Sequence, residues 1–278
     1  MLLVIDVGNT HSVFGVYAGE TLCRRLRIRT ERGMTADEYS LWLERLAQVA
    51  AARGRVIDAT MVCSVVPPLT APLSHAVQAT LGHEPRIVGA QQDCGVTIRT
   101  ARPEEVGADR IVNTIAAHAL TGAGAIVVDF GTATTFDCID ASGGFVGGAI
   151  APGLEISASA LFTATAKLPR VGIEAPPQAL GQDTVDALRS GLVFGYVGLV
   201  DGLVTRLRRE LGGDPPVIAT GGWAHLMATH CCSVTQVESD LTLMGLRLLH
   251  ARMESPQHEH RVTGLDRNPS IENCGKDP

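Results

Sequence analysis

LLVIDVGNTHSVFGVY, residues 2–17, is the stretch on which the architecture turns. The continuous apolar run over 2–6 suits a buried strand, Gly8-Asn9-Thr10 is a turn, and residues 12–17 form a second strand, so the segment reads as a hairpin. AIVVDFGTATTFDCID, residues 125–140, repeats the pattern of apolar strand, aspartate, glycine turn and second strand. Aligned without gaps, Asp6-Val7-Gly8-Asn9-Thr10 falls on Asp129-Phe130-Gly131-Thr132-Ala133, 123 positions later. MVCSVVPP (61–68) and VIATGGWA (217–224) also take similar places in the two halves. A duplicated half-chain predicts an α/β protein of two lobes with a cleft between them. The lobes are expected over 1–120 and 121–254, followed by a polar, aperiodic tail over 255–278 that is expected to be disordered.

Between these landmarks the periodicity is mostly helical. Thr35 and Glu38 form a capping box before a helix whose apolar face carries Tyr39, Trp42, Leu43, Leu46, Val49 and Ala50, with Gly54 closing it. Residues 59–66 predict a buried strand ended by Pro67-Pro68, 70–81 a helix and 86–88 a strand. The second half predicts a strand over 143–150, a helix over 154–165 and a strand over 216–220, with a last helix over 241–253. A long helical stretch over 184–211 is punctuated by Gly191, Gly195, Gly198 and Gly202.

With 278 residues, 45% of them hydrophobic and 19% charged, the chain buries a sizeable core. A net charge of −6 argues against a nucleic-acid partner, which calls for a basic face. Seven cysteines without CxxC spacing read as reduced thiols in a cytoplasmic protein. The apolar start is cut short by Asp6, which argues against a signal peptide. The charge-free run over 111–128 contains Asn113, His118, Gly122 and Gly124, and reads as helix end, turn and strand rather than a membrane span.

Neither a P-loop nor a GxGxxG after a strand occurs. What recurs is an aspartate at a strand end followed by a hydroxyl-rich glycine turn. Such a turn offers backbone N–H groups and Thr hydroxyls to phosphate oxygens. The aspartate itself repels phosphate, so its natural job is to hold a cation. One such turn is equally an ordinary hairpin; two at equivalent places would clamp a polyphosphate from both sides. The third element is Gly107-Ala108-Asp109-Arg110, opening a helix over 111–120. Asp109 is either the helix N-cap or a general base beside Arg110, a basic clamp for an anionic substrate. His258-Glu259-His260 in the tail lacks the rigid scaffold a metal site needs.

These residues resemble the type III pantothenate kinases, of the acetate and sugar kinase/Hsp70/actin superfamily. The resemblance runs from Leu2 to about Leu249 and rests on the two aspartate turns and on Gly107-Ala108-Asp109-Arg110. Pro152-Gly153-Leu154, residues 165–169, Thr220-Gly221-Gly222 and residues 241–246 complete it in order. It implies two actin-like (ribonuclease H-like) lobes, an ATP cleft, and phosphorylation of pantothenate in coenzyme A biosynthesis by a homodimer. Another phosphotransferase of the superfamily, such as a sugar kinase or polyphosphate hydrolase, and a non-enzymatic regulator are the competing readings.

The resemblance also implies roles. Asp6, Val7, Gly8, Asn9, Thr10, His11, Ser12 and Val13 would form the first phosphate turn, with Asp6 near the Mg²⁺ that accompanies ATP. Asp129 would ligate a monovalent cation, K⁺ or NH₄⁺, Thr132 would contact ATP, and Gly221 and Gly222 would lie near the adenosine. Gly107, Ala108, Asp109 and Arg110 would line the pantothenate pocket, Asp109 as proton acceptor, with Thr184 also on the substrate. Thr100 stands where the family often places a tyrosine, three residues before Pro103, and gives a less apolar wall. No membrane partner is expected.

Overall fold

Alternation along the opening strand decides which side chains enter the space between the lobes. In β1 (Leu2–Val7), Leu3, Ile5 and Val7 join one core cluster while Val4 joins another, and Asp6 shares the face of Val4. The computed structural model describes residues 1–89 and 94–255, so most of the tail, with His258, lies outside the described residues. β1 pairs antiparallel with β2 (His11–Ala18), which pairs antiparallel with β3 (Thr21–Arg29). On the other side β4 (Ala59–Ser64) and then β5 (Arg86–Val88) run parallel to β1. The second sheet consists of β6 (Ala125–Phe130), β7 (Ala133–Ile139), β8 (Phe145–Pro152), β9 (Val217–Gly221) and β10 (Gln236–Val237). Its order, β10-β9-β6-β7-β8, mirrors β3-β2-β1-β4-β5 with the same pairing directions. The sequence repeat is therefore a repeat of topology, giving two lobes of the expected α/β class.

The described residues also form seven α-helices: α1 (Ala36–Ala51), α2 (Pro67–Leu81), α3 (Ala108–Thr121), α4 (Leu154–Ala164), α5 (Thr184–Leu211), α6 (Ala224–Ala228) and α7 (Leu241–Met253). The Thr35–Glu38 capping box starts α1, whose Tyr39, Leu43 and Leu46 pack with α2 on the outer face of the first sheet. α3 and α7 lie between the sheets. Ile111, Val112, Leu243, Leu246 and Leu249 pack on Val4, Met61 and Cys63 of the first sheet, and Ala116, Ala117 and Leu241 on Val127 and Ile218 of the second. The two helices touch at Gly245, where a Cβ would stand 2.1 Å from the Val112 carbonyl oxygen, so only glycine fits.

β3, α6 and β10 were not anticipated, and three expectations are corrected. α2 begins at Pro67, because proline at a first helical position sacrifices no intrahelical bond. α1 ends at Ala51, and Gly54 lies beyond it with φ +63°. The glycines of α5 do not interrupt it, because packing of Leu192, Val193, Tyr196, Val200 and Val204 into the second lobe's core outweighs their low propensity. Among the described residues α5 is also the one helix long and apolar enough to cross a membrane by length and composition, yet that face of it is core.

Candidate active site

The β-strand period turns two carboxylates toward one place, and a helix brings a third to it. Asp6 shares the inner face of β1 with Val4, and Asp129 shares the inner face of β6 with Val127, so both aspartates look toward α3. The first turn of α3 presents Asp109 between them. All three are half-buried and keep some access to solvent. Burial, and then the charges of Asp109 and Asp129, push the Asp6 carboxyl up to about 8. Burial, Asp109 and Asp137 push Asp129 up to about 7, against a stabilising hydrogen bond from the Asn113 side chain. Asp109 is also raised by burial, opposed by the Arg110 amide and guanidinium. Asn113 is held in place because its Oδ1 accepts from the Thr242 hydroxyl of α7 at 2.9 Å, leaving its amide for Asp129.

The two duplicated turns meet directly: Thr10 Oγ1 and Thr132 Oγ1 are hydrogen-bonded at 2.6 Å. Their separation of 122 residues corrects the ungapped alignment, because the turn after β1 has one residue more than the turn after β6. Thr10 is thus equivalent to Thr132 rather than to Ala133. Gly153, at the N-cap of α4, packs on the second turn; a Cβ there would lie 2.2 Å from the Thr132 carbonyl oxygen. This close approach sets α4 beside the turns. Thr10, Thr132, Glu155, Ile156, Ser159 and Thr163 line an open cavity of about 410 Å³.

Arg110 is less free than the motif implied. Its Nε donates to Asp137 Oδ1 at 2.5 Å, its Nη2 donates to the Phe136 carbonyl at 3.2 Å, and its Cζ stands 5.0 Å above the Phe145 ring. Gly148 makes room for it, since a Cβ there would meet Nη2 at 2.9 Å and the Phe136 oxygen at 1.7 Å. The guanidinium therefore spends one edge on the second lobe and keeps its other N–H groups for an anion. Asp137, on the same face of β7, is fully buried, and sequence reasoning missed it. Its placement inside the repeated strand-turn-strand unit, opposite Val127, was the available signal. The N-cap of α3 is Gly107, with Ala108 buried behind it, so the capping alternative for Asp109 is corrected: the carboxylate lies one residue inside the helix and accepts from the Arg110 amide at 2.9 Å.

The other expected residues are distributed unevenly. Gly221 (φ +89°) packs against Asp129, whose Oδ1 would lie 2.4 Å from a Cβ, and Gly222 follows at the cleft edge. Val7 and Ser12 face the outer side of the sheet, where Ser12 Oγ bonds Thr30 Oγ1 at 2.8 Å. Gly8 donates its amide to the His11 carbonyl, closing the turn around exposed Asn9, and Val13 sits beside Asp6 on β2. The His11 ring, its pKa lowered by burial and then by Arg27, pairs Nδ1 with Arg27 Nη2 at 2.9 Å. Thr100 follows a segment bridged to Phe145, and its buried hydroxyl has no partner among the described residues. Thr184 is exposed at the start of α5, and among the described residues no hydrogen bond joins it to the aspartates. No group of three or more His, Cys, Asp or Glu among the described residues has the geometry of a self-sufficient metal site.

A family model for type III pantothenate kinase matches residues 2–206. A type III pantothenate kinase of Syntrophotalea carbinolica is 50% identical over 252 residues, covering 91% of this chain and 99% of the relative. One of Desulfatibacillum aliphaticivorans is 49% identical over 256 residues, covering 92% and 100%. Among solved structures, a protein assigned to the Baf family of transcriptional activators from Campylobacter jejuni superposes with a TM-score of 0.55 at 19% identity, covering 90% of this chain and 98% of that one. At that identity the likeness speaks for the fold alone.

Proposed function

The chain belongs to the type III pantothenate kinase family, and on that premise we propose that its cleft transfers the γ-phosphoryl group of ATP to the primary hydroxyl of pantothenate, giving 4'-phosphopantothenate in the first step of coenzyme A biosynthesis. The Thr10–Thr132 hydrogen bond above three inward-facing aspartates carries the reading, because it brings both halves of a phosphate clamp together over a general-base candidate. ATP lies between the turn after β1 and the turn after β6, its adenosine toward Gly221 and Gly222. Asp109 accepts the hydroxyl proton as the oxygen attacks the γ-phosphorus in line and ADP leaves. Its raised pKa strengthens it as a base. Arg110, braced by Asp137, offers its remaining N–H groups to the pantothenate carboxylate, and Gly107, Ala108, Thr100 and Thr184 shape the rest of that pocket.

The upward-shifted carboxyls of Asp6 and Asp129 mark a cleft floor short of positive charge, which fits cations. Asp6 would hold Mg²⁺ arriving with ATP, and Asp129 would hold K⁺ or NH₄⁺; both ions would neutralise phosphate charge when bound. A homodimer fits the surface of the second lobe, where Phe162, Leu180 and Val185 are exposed and Gly191, Gly195 and Gly198 leave open space along α5.

ATP consumption with and without pantothenate, in potassium and in sodium buffers, tests the reading. Turnover is expected only with pantothenate and faster in potassium. Equal turnover with a hexose acceptor, or none with pantothenate, overturns it.

A further inference from the structure

β3 carries Arg25, Arg27 and Arg29 on one face. The pairing register fixes which face. Asp6 pairs with Val13, and Val13 pairs with Arg27, so Arg27 stands in the same cross-sheet row as Asp6 and on the same cleft-facing side. Two strand spacings put its backbone about 10 Å from that of Asp6, and the side chain is long enough to return over the turn. It does so: Nη2 sits 2.9 Å from His11 Nδ1. A Cβ on Gly222 would stand 3.4 Å from Nη2 and 3.8 Å from Nη1. The guanidinium of the first lobe therefore stands over Gly222 of the second, whose neighbour Gly221 packs on Asp129.

Its neighbour Arg25 is neutralised by Asp240 at 3.0 Å. Arg27 forms no ion pair among the described residues; its bonding partner is a histidine whose ring is kept neutral by burial and by Arg27 itself. A guanidinium offers five N–H groups, and this contact uses one. The result is a cation outside any ion pair among the described residues, exposed at the rim of a cleft whose floor is lined by carboxylates, with Glu155 the acidic group that also acts on His11.

We propose that Arg27 binds the polyphosphate of the nucleotide, with His11 holding its guanidinium over Gly222 for that contact. The assignment rests on the reading that ATP lies between the two turns. It also supplies, from the opposite lobe, a positive charge that no lysine or arginine within ten residues of Asp129 in the sequence provides.

The test is R27A in the full chain, with thermal melting as the control for folding. Steady-state kinetics are run in ATP and in pantothenate, alongside direct titrations with ATP and adenosine. A charge-assisted contact to phosphate predicts a loss of about 10–100-fold in ATP affinity and a matching rise in KM for ATP. KM for pantothenate and adenosine affinity should stay within about twofold, with an unchanged melting temperature. ATP affinity within twofold of the parent overturns the assignment. So does an equal loss for adenosine, or a parallel rise in both KM values with a lowered melting temperature, which would mark Arg27 as a strut between lobes. If the parent binds ATP but shows no pantothenate-dependent turnover, the kinase reading fails, while a selective loss of ATP binding in R27A still upholds the phosphate contact.

Discussion

Asp129→Asn should make the ligand-free protein more stable at pH 8 while disabling its cation site. The carboxyl is raised from 3.8 to about 7, chiefly by burial and then by Asp109 and Asp137. A carboxyl raised by folding keeps its proton longer in the folded state. Its contribution is therefore fully present only below about pH 3 and is lost as the pH climbs through 7. Three pKa units correspond to an upper bound of about 4 kcal/mol. Residual solvent access and sharing of the penalty with Asp6 and Asp109 reduce this to about 1–3 kcal/mol. Asparagine is isosteric, fits beside Gly221, and retains an oxygen to accept from Asn113. Urea unfolding of D129N and its parent should show the variant ahead by that amount at pH 8, with the gap narrowing through pH 4.5 and closing near pH 3, in a buffer free of K⁺ and Mg²⁺. Added KCl should then stabilise the parent and not the variant. A variant less stable than its parent at pH 8, or a difference independent of pH, would refute the account of strained carboxylates.

Asp109→Asn should fold normally, since Gly107 and not Asp109 caps α3, and should lower kcat by about 10²-fold or more; unchanged turnover in an ADP-release assay removes the base assignment. Asp137→Ala strips a nearly buried guanidinium of its counter-charge and should cost about 3–5 kcal/mol in denaturant titration, whereas an unchanged midpoint would mean that Arg110 escapes to solvent. Gly245→Ala drives a methyl into the Val112 carbonyl, a backbone group that cannot rotate away. Overpacking of about 1–3 kcal/mol or more is expected, with a fall in kcat because α3 carries Asp109; a variant that melts and turns over like the parent would show that the helices separate freely.

Much of the frame was legible because it is written in local patterns. The repeated strand–aspartate–glycine turn reports itself twice, the α1 capping box names its own first residue, and α5 and α7 begin and end where their periodicity does. β3 escaped although Leu26-Arg27-Ile28-Arg29 alternates with the strand period, because a run of arginines resembles a solvated surface. The early start of α3 escaped because Gly107 caps without a side chain. Contacts between distant residues had no local signature at all. Arg110 with Asp137, Thr242 with Asn113, and Arg27 over Gly222 depend on how two sheets face each other, and no spacing within either partner's own segment encodes that.

The packing of α7 on β1 sets an order of events at the ribosome. Leu243, Leu246 and Leu249 join Ile111 and Val112 of α3 over Val4 and Met61, so the inner face of the first sheet stays only partly covered until residues 241–253 have been synthesised. At roughly 5–20 residues per second, the stretch between α3 and α7 leaves part of that apolar surface uncovered for on the order of 10–30 s. The N-terminal lobe, first to emerge, is therefore finished only when the second lobe is, by the same helix. A nascent chain stalled in α5 would hold both strands of the first hairpin and still present a sticky, unfinished sheet, a natural client for a holding chaperone.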